Sequence, residues 1–210
     1  MHANGPKEGY FKFTPRCVGE MQIVPSLLVE LNRWRDRMYD LKLVGVYTEG
    51  ELKGIGYGNI SARSGDGFVI TATRTGALPV LGVEHYTEII KVDLEGNAVN
   101  YRSTVPEATP SAECMTHAMF YLADPAVGAV IHVHHLAFWR RLLDRVPTTS
   151  PKVEYGTPAM AHEILRLYRE TDLPQSKLVA MAGHEEGVIA VGSDLDEAGR
   201  VLLSSFQGSV

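Results

Sequence analysis

The stretch Ala129-Val130-Ile131-His132-Val133-His134 is a short apolar run that ends in two histidines. If it forms a β-strand, successive side chains point to opposite faces, so His132 and His134 point the same way with Cα atoms about 6.5–7 Å apart. The β-branched residues around them suit a buried strand. Two imidazoles at that spacing can share one divalent metal ion, and zinc is the first expectation because imidazole is the commonest metal ligand.

The remaining ligands of such a site must come from other parts of the chain, because a catalytic zinc ion usually takes three protein ligands and keeps one open position. We predict His184 as the third ligand, since it lies in a Gly-flanked turn after the strand-like residues 177–180. His135, which follows the pair directly, should face away from the site. Two alternatives stay open. In the first, the two strand histidines are hydrogen-bonded and bind no metal ion. In the second, Glu113 and His117, four residues apart on one helix face, form an alternative metal pair.

A carboxylate near this predicted metal site would complete the requirements for catalysis. Glu113 falls in the first turn of a helix predicted over 109–122, with Thr109 or Ser111 as its N-cap. In the simplest interpretation, a carboxylate at this position complements the helix dipole and has no other role. Next to a metal ion that polarises a carbonyl group, however, it can also move a proton. We therefore predict Glu113 as the catalytic acid and base.

A second group of small and hydroxyl-bearing residues is predicted to bind an anion such as phosphate. Its members stand at turns or helix starts, where backbone N–H groups can point at a ligand. The same residue types are also the ordinary choice for turns and caps. The group consists of Gly58, Asn59, Thr75, Gly76 and Ser111.

The length and composition predict one globular domain. The 210 residues suffice for a sizeable core, and a content of 45% hydrophobic and 21% charged residues excludes a disordered chain. We assign residues 1–210 to a single domain and residues 1–24 to an irregular N-terminal segment. The first ten residues, MHANGPKEGY, lack the apolar core of a signal peptide. The two cysteines form no disulfide framework, so we expect a cytoplasmic protein.

Charge and hydropathy also restrict the partners. The net charge is −5 and no basic stripe is present, which argues against a nucleic-acid partner. No apolar run approaches the roughly 20 residues of a membrane span. Arg33, Arg35 and Arg37 lie on a predicted helix with Asp36 among them, and we interpret them as a solvated face or a subunit contact.

Strand and helix signals alternate along the chain, which predicts α/β or α+β layers. A helix should begin at Pro25 and continue until Gly45, and short strands should follow at 59–63 and 68–71. Residues 87–94 and 98–101 read as a hairpin, which argues against a purely parallel sheet. Later strands are predicted near 177–181 and 187–191, with helices at 136–143 and 158–169. The last helix should be capped by Ser193-Asp194.

The order of four segments resembles the class II aldolase/adducin family. These segments are GNISAR at 58–63, ITATRTG at 70–76, PSAECMTHAMFYLADPAVGAVIHVHH at 110–135, and a late GH…G before GSDLDEA at 192–198. The long middle segment is the most specific of them, and the resemblance covers about residues 25–205. It implies an α/β fold, a three-layer α/β/α sandwich around a central, largely antiparallel sheet. It also implies a homotetramer with active sites between subunits.

The resemblance further implies a metal-dependent aldolase-type lyase that cleaves or forms a C–C bond of a sugar or sugar phosphate. The substrate would be a small hydroxycarbonyl compound that reacts through a metal-stabilised enediolate. The alternatives are an epimerase or a dehydratase on the same site, or a non-catalytic adducin-like binding domain. By position, the zinc ligands are His132, His134 and His184, the acid/base is Glu113, and the phosphate-binding turns contain Gly58, Asn59, Thr75, Gly76 and Ser111.

The chain departs from the family pattern in several places, one of which is the segment ITATRTG at 70–76, where the family usually has a shorter ITPTG-like segment. Glu185-Glu186 intervenes between His184 and Gly187, where the family has His-Gly, so Glu186 is an alternative third ligand. Position 112 is alanine, where sugar-phosphate aldolases commonly have a second serine. The catalytic tyrosine that the family contributes across the subunit interface has no assignable counterpart, and Tyr155 is a candidate by proximity alone.

Overall fold

An eight-stranded mixed sheet is the centre of the computed structural model, which describes residues 12–207. The strands are β1 Thr14–Glu20, β2 Gly45–Val46, β3 Gly56–Tyr57, β4 Asn59–Ser64, β5 Gly67–Thr71, β6 Tyr86–Asp93, β7 Ala98–Ser103, β8 Ala129–His134, β9 Leu178–Ala180 and β10 Gly187–Gly192. The helices are α1 Pro25–Asp40, α2 Cys114–Ala123, α3 Leu136–Leu142, α4 Pro158–Glu170, α5 Leu173–Ser176 and α6 Leu195–Gln207.

The order of strands in the sheet is β1-β7-β6-β5-β4-β8-β10-β9, and β2 and β3 form a separate two-stranded ribbon. β1 pairs with β7 in parallel. The other neighbouring pairs are antiparallel. The predicted α/β class is confirmed. In the register of β8 and β10, Gly187 lies opposite His134 and Ile189 lies opposite His132. The turn that contains His184 therefore meets the end of β8.

Two hydrophobic clusters use alternate residues of the same strands. On β8, Ile131 and Val133 belong to a cluster that includes α1, α3 and α6. Val130 belongs to the other cluster, which includes α2 and α4. Because side chains alternate along a strand, His132 and His134 share the face of Val130 and look toward α2. The predicted common orientation of the two histidines is confirmed.

Most predicted elements are present within one or two residues, and three predictions are wrong. The segment 1–24 is not irregular throughout, because Thr14–Glu20 forms β1 by pairing with β7. α1 ends at Asp40, so Gly45 begins a strand rather than ending the helix. α2 begins at Cys114 rather than near 109, because Thr73 N–H donates to the Thr109 carbonyl at 2.9 Å and holds that segment against the sheet.

The prediction that MHANGPKEGY, residues 1–10, has no signal-peptide core concerns residues that lie outside the described part of the chain. Among residues 12–207, no helix combines the length and the apolar character that crossing a membrane requires. The predicted cap of the last helix is confirmed, since Asp194 Oδ1 accepts the Glu197 N–H at 2.7 Å.

Candidate metal centre

Three buried histidines converge where β8 ends. His132 and His134 extend from β8, and His184 comes from the turn before β10. One ring nitrogen from each lies within 4.8 Å of the corresponding nitrogens of the other two. The Nε2 atoms of His132 and His134 are 3.0 Å apart. The structure thus brings together the three histidines predicted as metal ligands.

Hydrogen bonds on the outer side of two rings fix which nitrogen faces the centre. His132 Nδ1 lies 3.2 Å from the Val188 carbonyl oxygen, which can only accept, so this nitrogen donates. His134 Nδ1 lies 2.9 Å from the hydroxyl of Tyr47. Burial lowers the pKa of His134 well below its ordinary value, with the neighbouring histidines acting in the same direction. His134 is therefore neutral, as a metal ligand must be.

Glu113 closes the cluster from the α2 side. It is the N-cap residue of α2 and is 4% exposed. Its Oε2 lies 2.8 Å from His132 Nε2, and its Oε1 lies 3.2 Å from His184 Nδ1. Burial raises the pKa of Glu113, but the charges of His132 and His184 outweigh burial and hold the pKa well below its ordinary value. Glu113 is thus a carboxylate aimed at the histidines.

The chemistry of this donor set fits a metal ion. Because His132 Nδ1 donates to the Val188 carbonyl, Nε2 of His132 is the nitrogen that faces Nε2 of His134 and the Glu113 carboxylate. A proton or a metal ion between these groups would satisfy them, and three imidazole nitrogens beside a carboxylate are a donor set that suits a transition-metal ion. The three ring nitrogens lie within 4.8 Å of one another, with the His132 and His134 Nε2 atoms 3.0 Å apart, so the three histidines would hold one ion together.

The predicted anion-binding turns line the same cavity as the cluster. All nine predicted site residues except the fully buried His132 contribute to its wall. Gly58 has φ +74°, and a Cβ there would lie 2.7 Å from Val44 Cγ2. A Cβ at Gly76 would lie 2.0 Å from the Gly45 carbonyl oxygen. Both turns therefore depend on glycine.

The residues predicted to bind an anion differ in the hydrogen bonds that their side chains make. Asn59 Nδ2 donates to Glu113 Oε2 at 3.0 Å, so Asn59 orients the carboxylate. Thr75 Oγ1 donates to the Ala72 carbonyl at 2.9 Å and stabilises its own turn. Ser111 Oγ accepts the Glu113 N–H at 3.3 Å, which leaves the hydroxyl proton available for a ligand in the cavity.

The interpretation of Arg35 as part of a solvated face or subunit contact is wrong. Arg35 is 1% exposed, and its guanidinium donates to the carbonyls of Pro79 at 3.1 Å and Thr75 at 3.2 Å, and also to that of Leu78. Burial lowers the pKa of Arg35 below its ordinary value. Five fixed N–H donors suit a side chain that holds a loop by its carbonyls. Arg35 thereby shapes the turn that carries Thr75 and Gly76.

Residues 46–204 match the family described as Class II Aldolase and Adducin N-terminal domain. This chain belongs to that family. The class II aldolase family is metal-dependent, and the three-histidine cluster is a place in this chain where such an ion fits.

Relatives within the class II aldolase and adducin family include two kinds of lyase. L-fuculose phosphate aldolase of Methanocaldococcus jannaschii is 27% identical over 150 residues, which cover 67% of this chain and 75% of that protein. Methylthioribulose-1-phosphate dehydratase of Xylella fastidiosa is 45% identical over 49 residues, which cover 23% of this chain and 20% of that protein.

A solved structure supports the class II aldolase fold. L-fuculose-1-phosphate aldolase from Thermus thermophilus superposes with a TM-score of 0.59 at 23% sequence identity. The superposition covers 87% of this chain and 90% of that chain. At this level of identity the likeness concerns the fold, and the reaction has to be inferred from the site.

Around the three-histidine cluster lie residues that sequence reasoning placed differently or missed. Tyr155 stacks on His184 with ring centroids 4.3 Å apart and lines the cavity. His117 is outside the three-histidine cluster, and its Nδ1 lies 2.7 Å from Ser61 Oγ. Glu186 Oε2 accepts the Tyr47 hydroxyl at 2.9 Å, and no sequence signal singled out Tyr47.

Proposed function

We propose that this protein is a metal-dependent lyase of the aldolase type that cleaves or forms a C–C bond in a small hydroxycarbonyl compound. The observation that carries the proposal is the convergence of His132, His134 and His184 with the Glu113 carboxylate on one cavity. Three imidazoles leave a tetrahedral ion with an open position, which is the arrangement of catalytic zinc sites.

The three histidines would hold the ion, and Glu113 would move the proton. When bound, the ion would act as a Lewis acid that polarises substrate oxygens and stabilises the charge of an enediolate. Glu113 is held in its charged form and oriented by Asn59, so it can accept a proton from the carbon beside the carbonyl group and return it there. Tyr155, packed on His184, would limit the entry of water from that side.

The part of the cavity wall formed by the turns and the start of α2 suits the anionic end of a substrate. Gly58, Gly76 and the hydroxyl of Ser111 face it, and Arg74 also lies in its wall. Small residues allow a ligand to approach the backbone N–H groups, and the Ser111 proton adds a donor. We therefore propose a sugar phosphate as the preferred substrate, as the names of both relatives suggest.

A second candidate function is the loss of water from a sugar phosphate, as in a dehydratase. The 45% identity to methylthioribulose-1-phosphate dehydratase over 49 residues favours it. Removal of the proton beside the carbonyl by Glu113 would start dehydration or aldol addition, whereas in aldol cleavage Glu113 would return a proton to that carbon after the C–C bond breaks and the hydroxyl on the next carbon loses its proton. The products distinguish them, because an aldolase releases two carbonyl fragments whereas a dehydratase keeps the carbon chain intact.

The decisive experiment combines elemental analysis with a substrate screen. We expect about one divalent metal ion per chain, lost in His132→Ala and in His184→Ala. The metal-loaded protein should convert L-fuculose 1-phosphate or methylthioribulose 1-phosphate, and the products should be separated by chromatography. A wild-type protein that binds no zinc, manganese, cobalt or iron would overturn the proposal in favour of the adducin-like binding domain.

Several finer properties are part of the same proposal. We propose zinc as the ion, a three-layer arrangement of helices and sheet, a homotetramer and a cytoplasmic location. Native mass spectrometry of the purified protein would test the zinc ion and the homotetramer together, because it reports the bound metal and the number of chains in one measurement.

A further inference from the structure

A polar chain behind His134 connects the metal centre to a carboxylate that the proposed mechanism does not use. The hydroxyl of Tyr47 lies 2.9 Å from His134 Nδ1 and 2.9 Å from Glu186 Oε2. Tyr47 precedes β3, whereas Glu186 lies in the turn directly before β10. Three separate parts of the chain therefore meet at the outer edge of one imidazole.

The directions of these hydrogen bonds follow from the chemistry of the groups. An ionised carboxylate can only accept, so the Tyr47 hydroxyl donates its single proton to Glu186. The phenol oxygen is then an acceptor for the Nδ1–H of His134. With its proton on Nδ1, His134 presents the Nε2 lone pair toward His132. The chain thus selects the tautomer that can bind a metal ion through Nε2.

The backbone of Glu186 is held in a conformation that a residue with a Cβ adopts at a cost. Its φ is +70°, in the left-handed region that favours glycine. The Glu186 carbonyl accepts the His135 N–H at 3.0 Å, which fixes the turn to the end of β8. A strained non-glycine residue at a functional site points to a task for its side chain. Here that side chain contacts Tyr47.

We propose that Tyr47 and Glu186 are positioning residues that fix the tautomer and the orientation of His134 and so strengthen metal binding. The inference rests on the proposed function, since it assumes that His134 is a metal ligand. It also assigns a task to the Glu185-Glu186 insertion, by which this chain departs from the His-Gly pattern. Glu186 acts on the Nδ1 side of His134, opposite the nitrogen that faces the cluster.

The test measures metal affinity directly, by competition of Co²⁺ between the protein and a chelator, with the visible spectrum of the bound Co²⁺ as a second readout. Tyr47→Phe removes the hydroxyl and should weaken Co²⁺ binding by roughly 10–100-fold. Glu186→Gln removes the charge and should weaken it by about tenfold. Both variants should also shift the Co²⁺ absorption bands, because the ligand field of His134 changes.

Matched control variants are available next to both residues. Tyr57→Phe removes a hydroxyl that donates to the Lys42 carbonyl at 3.4 Å, from a ring that stacks on His134 with centroids 5.6 Å apart. Glu185→Gln removes the exposed charge beside Glu186. Both controls should keep the Co²⁺ affinity within about twofold of the wild type, below the tenfold effect expected of an outer hydrogen-bond partner.

A third variant separates metal positioning from folding. Glu186→Gly relieves the left-handed backbone and removes the carboxylate at once. We expect the metal-free variant to unfold at the same temperature as the wild type or higher, while its Co²⁺ affinity falls by about tenfold. Lower affinity that merely follows a lower unfolding temperature would overturn the positioning role.

The results also distinguish failure of this inference from failure of the proposed function. If Tyr47→Phe and Glu186→Gln behave like their controls while His132→Ala loses Co²⁺, the positioning role is wrong and the metal centre stands. If the wild-type protein binds no Co²⁺, the proposed function itself is wrong. If Glu186→Ala loses Co²⁺ as completely as His132→Ala while His184→Ala retains it, Glu186 is a direct ligand and the positioning role is overturned.

Discussion

The two faces of β8 perform different tasks with alternate residues of one strand. On one face, Ile131 and Val133 are fully buried among apolar side chains of α1, α3 and α6. On the other, His132 and His134 meet Glu113 and His184. Close packing of the apolar face holds the strand in place, so the histidines on the polar face extend from a rigid support. Side chains that must hold an ion to a few tenths of an ångström benefit from such a support.

The largest expected effect is the loss of metal binding when a histidine of the polar face is removed. His132→Ala should abolish tight metal binding, because the site loses one of three ligands. His135→Ala is the matched control, since His135 packs on Phe206 with ring centroids 5.1 Å apart and caps α3 through the Phe138 N–H. The control should lose about 1 kcal/mol of stability and keep its metal. Elemental analysis measures the metal content of both variants. An equal content would contradict the assignment of metal binding to the polar face of β8.

A change beside the polar face should remove turnover without removing the metal. Glu113→Gln keeps the size of the side chain and its contact with Asn59, but it cannot accept the substrate proton. We expect the turnover number to fall by about 10²–10⁴-fold with the metal retained. Full activity in this variant would show that another group moves the proton.

Breaking the apolar face should affect stability and leave the chemistry intact. Ile131→Ala creates a cavity at a fully buried position and should lower the free energy of unfolding by about 2–5 kcal/mol. At temperatures where the variant stays folded, its metal affinity should match that of the wild type. Denaturant titration and chelator competition measure the two quantities separately. A loss of metal affinity in the folded variant would mean that the two faces are not independent.

The smallest expected effect is on the free energy of unfolding at acid pH. Burial lowers the pKa of His117 from 6.5 to about 3, so the folded protein keeps this ring neutral. The unfolded chain binds the proton between these values, and the free energy of unfolding should therefore fall by up to about 1.4 kcal/mol for each pH unit below 6.5. Urea titrations of metal-free wild type and His117→Asn should show a shallower pH dependence for the variant. Parallel curves would refute this assignment.

Sequence reasoning recovered the parts of the site that local patterns encode. The alternation of β8 gave the two strand histidines, and the turn before β10 gave His184. Glu113 was found from its place at the start of a helix, next to the His-bearing strand in the family pattern. The roles of these residues stay predictions, but their proximity is a feature of the structure.

The parts that were missed depend on contacts between distant segments. Tyr47 reaches a histidine 87 residues away, and a single tyrosine in a loop carries no periodic signal. Arg35 looked like one member of a charged helix face, yet the loop at 75–79 folds over it and accepts hydrogen bonds from its guanidinium. β1 has no alternating apolar pattern, so its pairing with β7 decides its conformation.

β1 has a consequence for the association of this protein with other chains. Among the described strands it forms one edge of the sheet, and nearly all of its residues are exposed. Such an edge offers unpaired N–H and C=O groups to any passing strand. Pro15 has no N–H to offer, and Arg16 and Glu20 place charges along the strand. An exposed border of the sheet is in this way protected against the growth of aggregates.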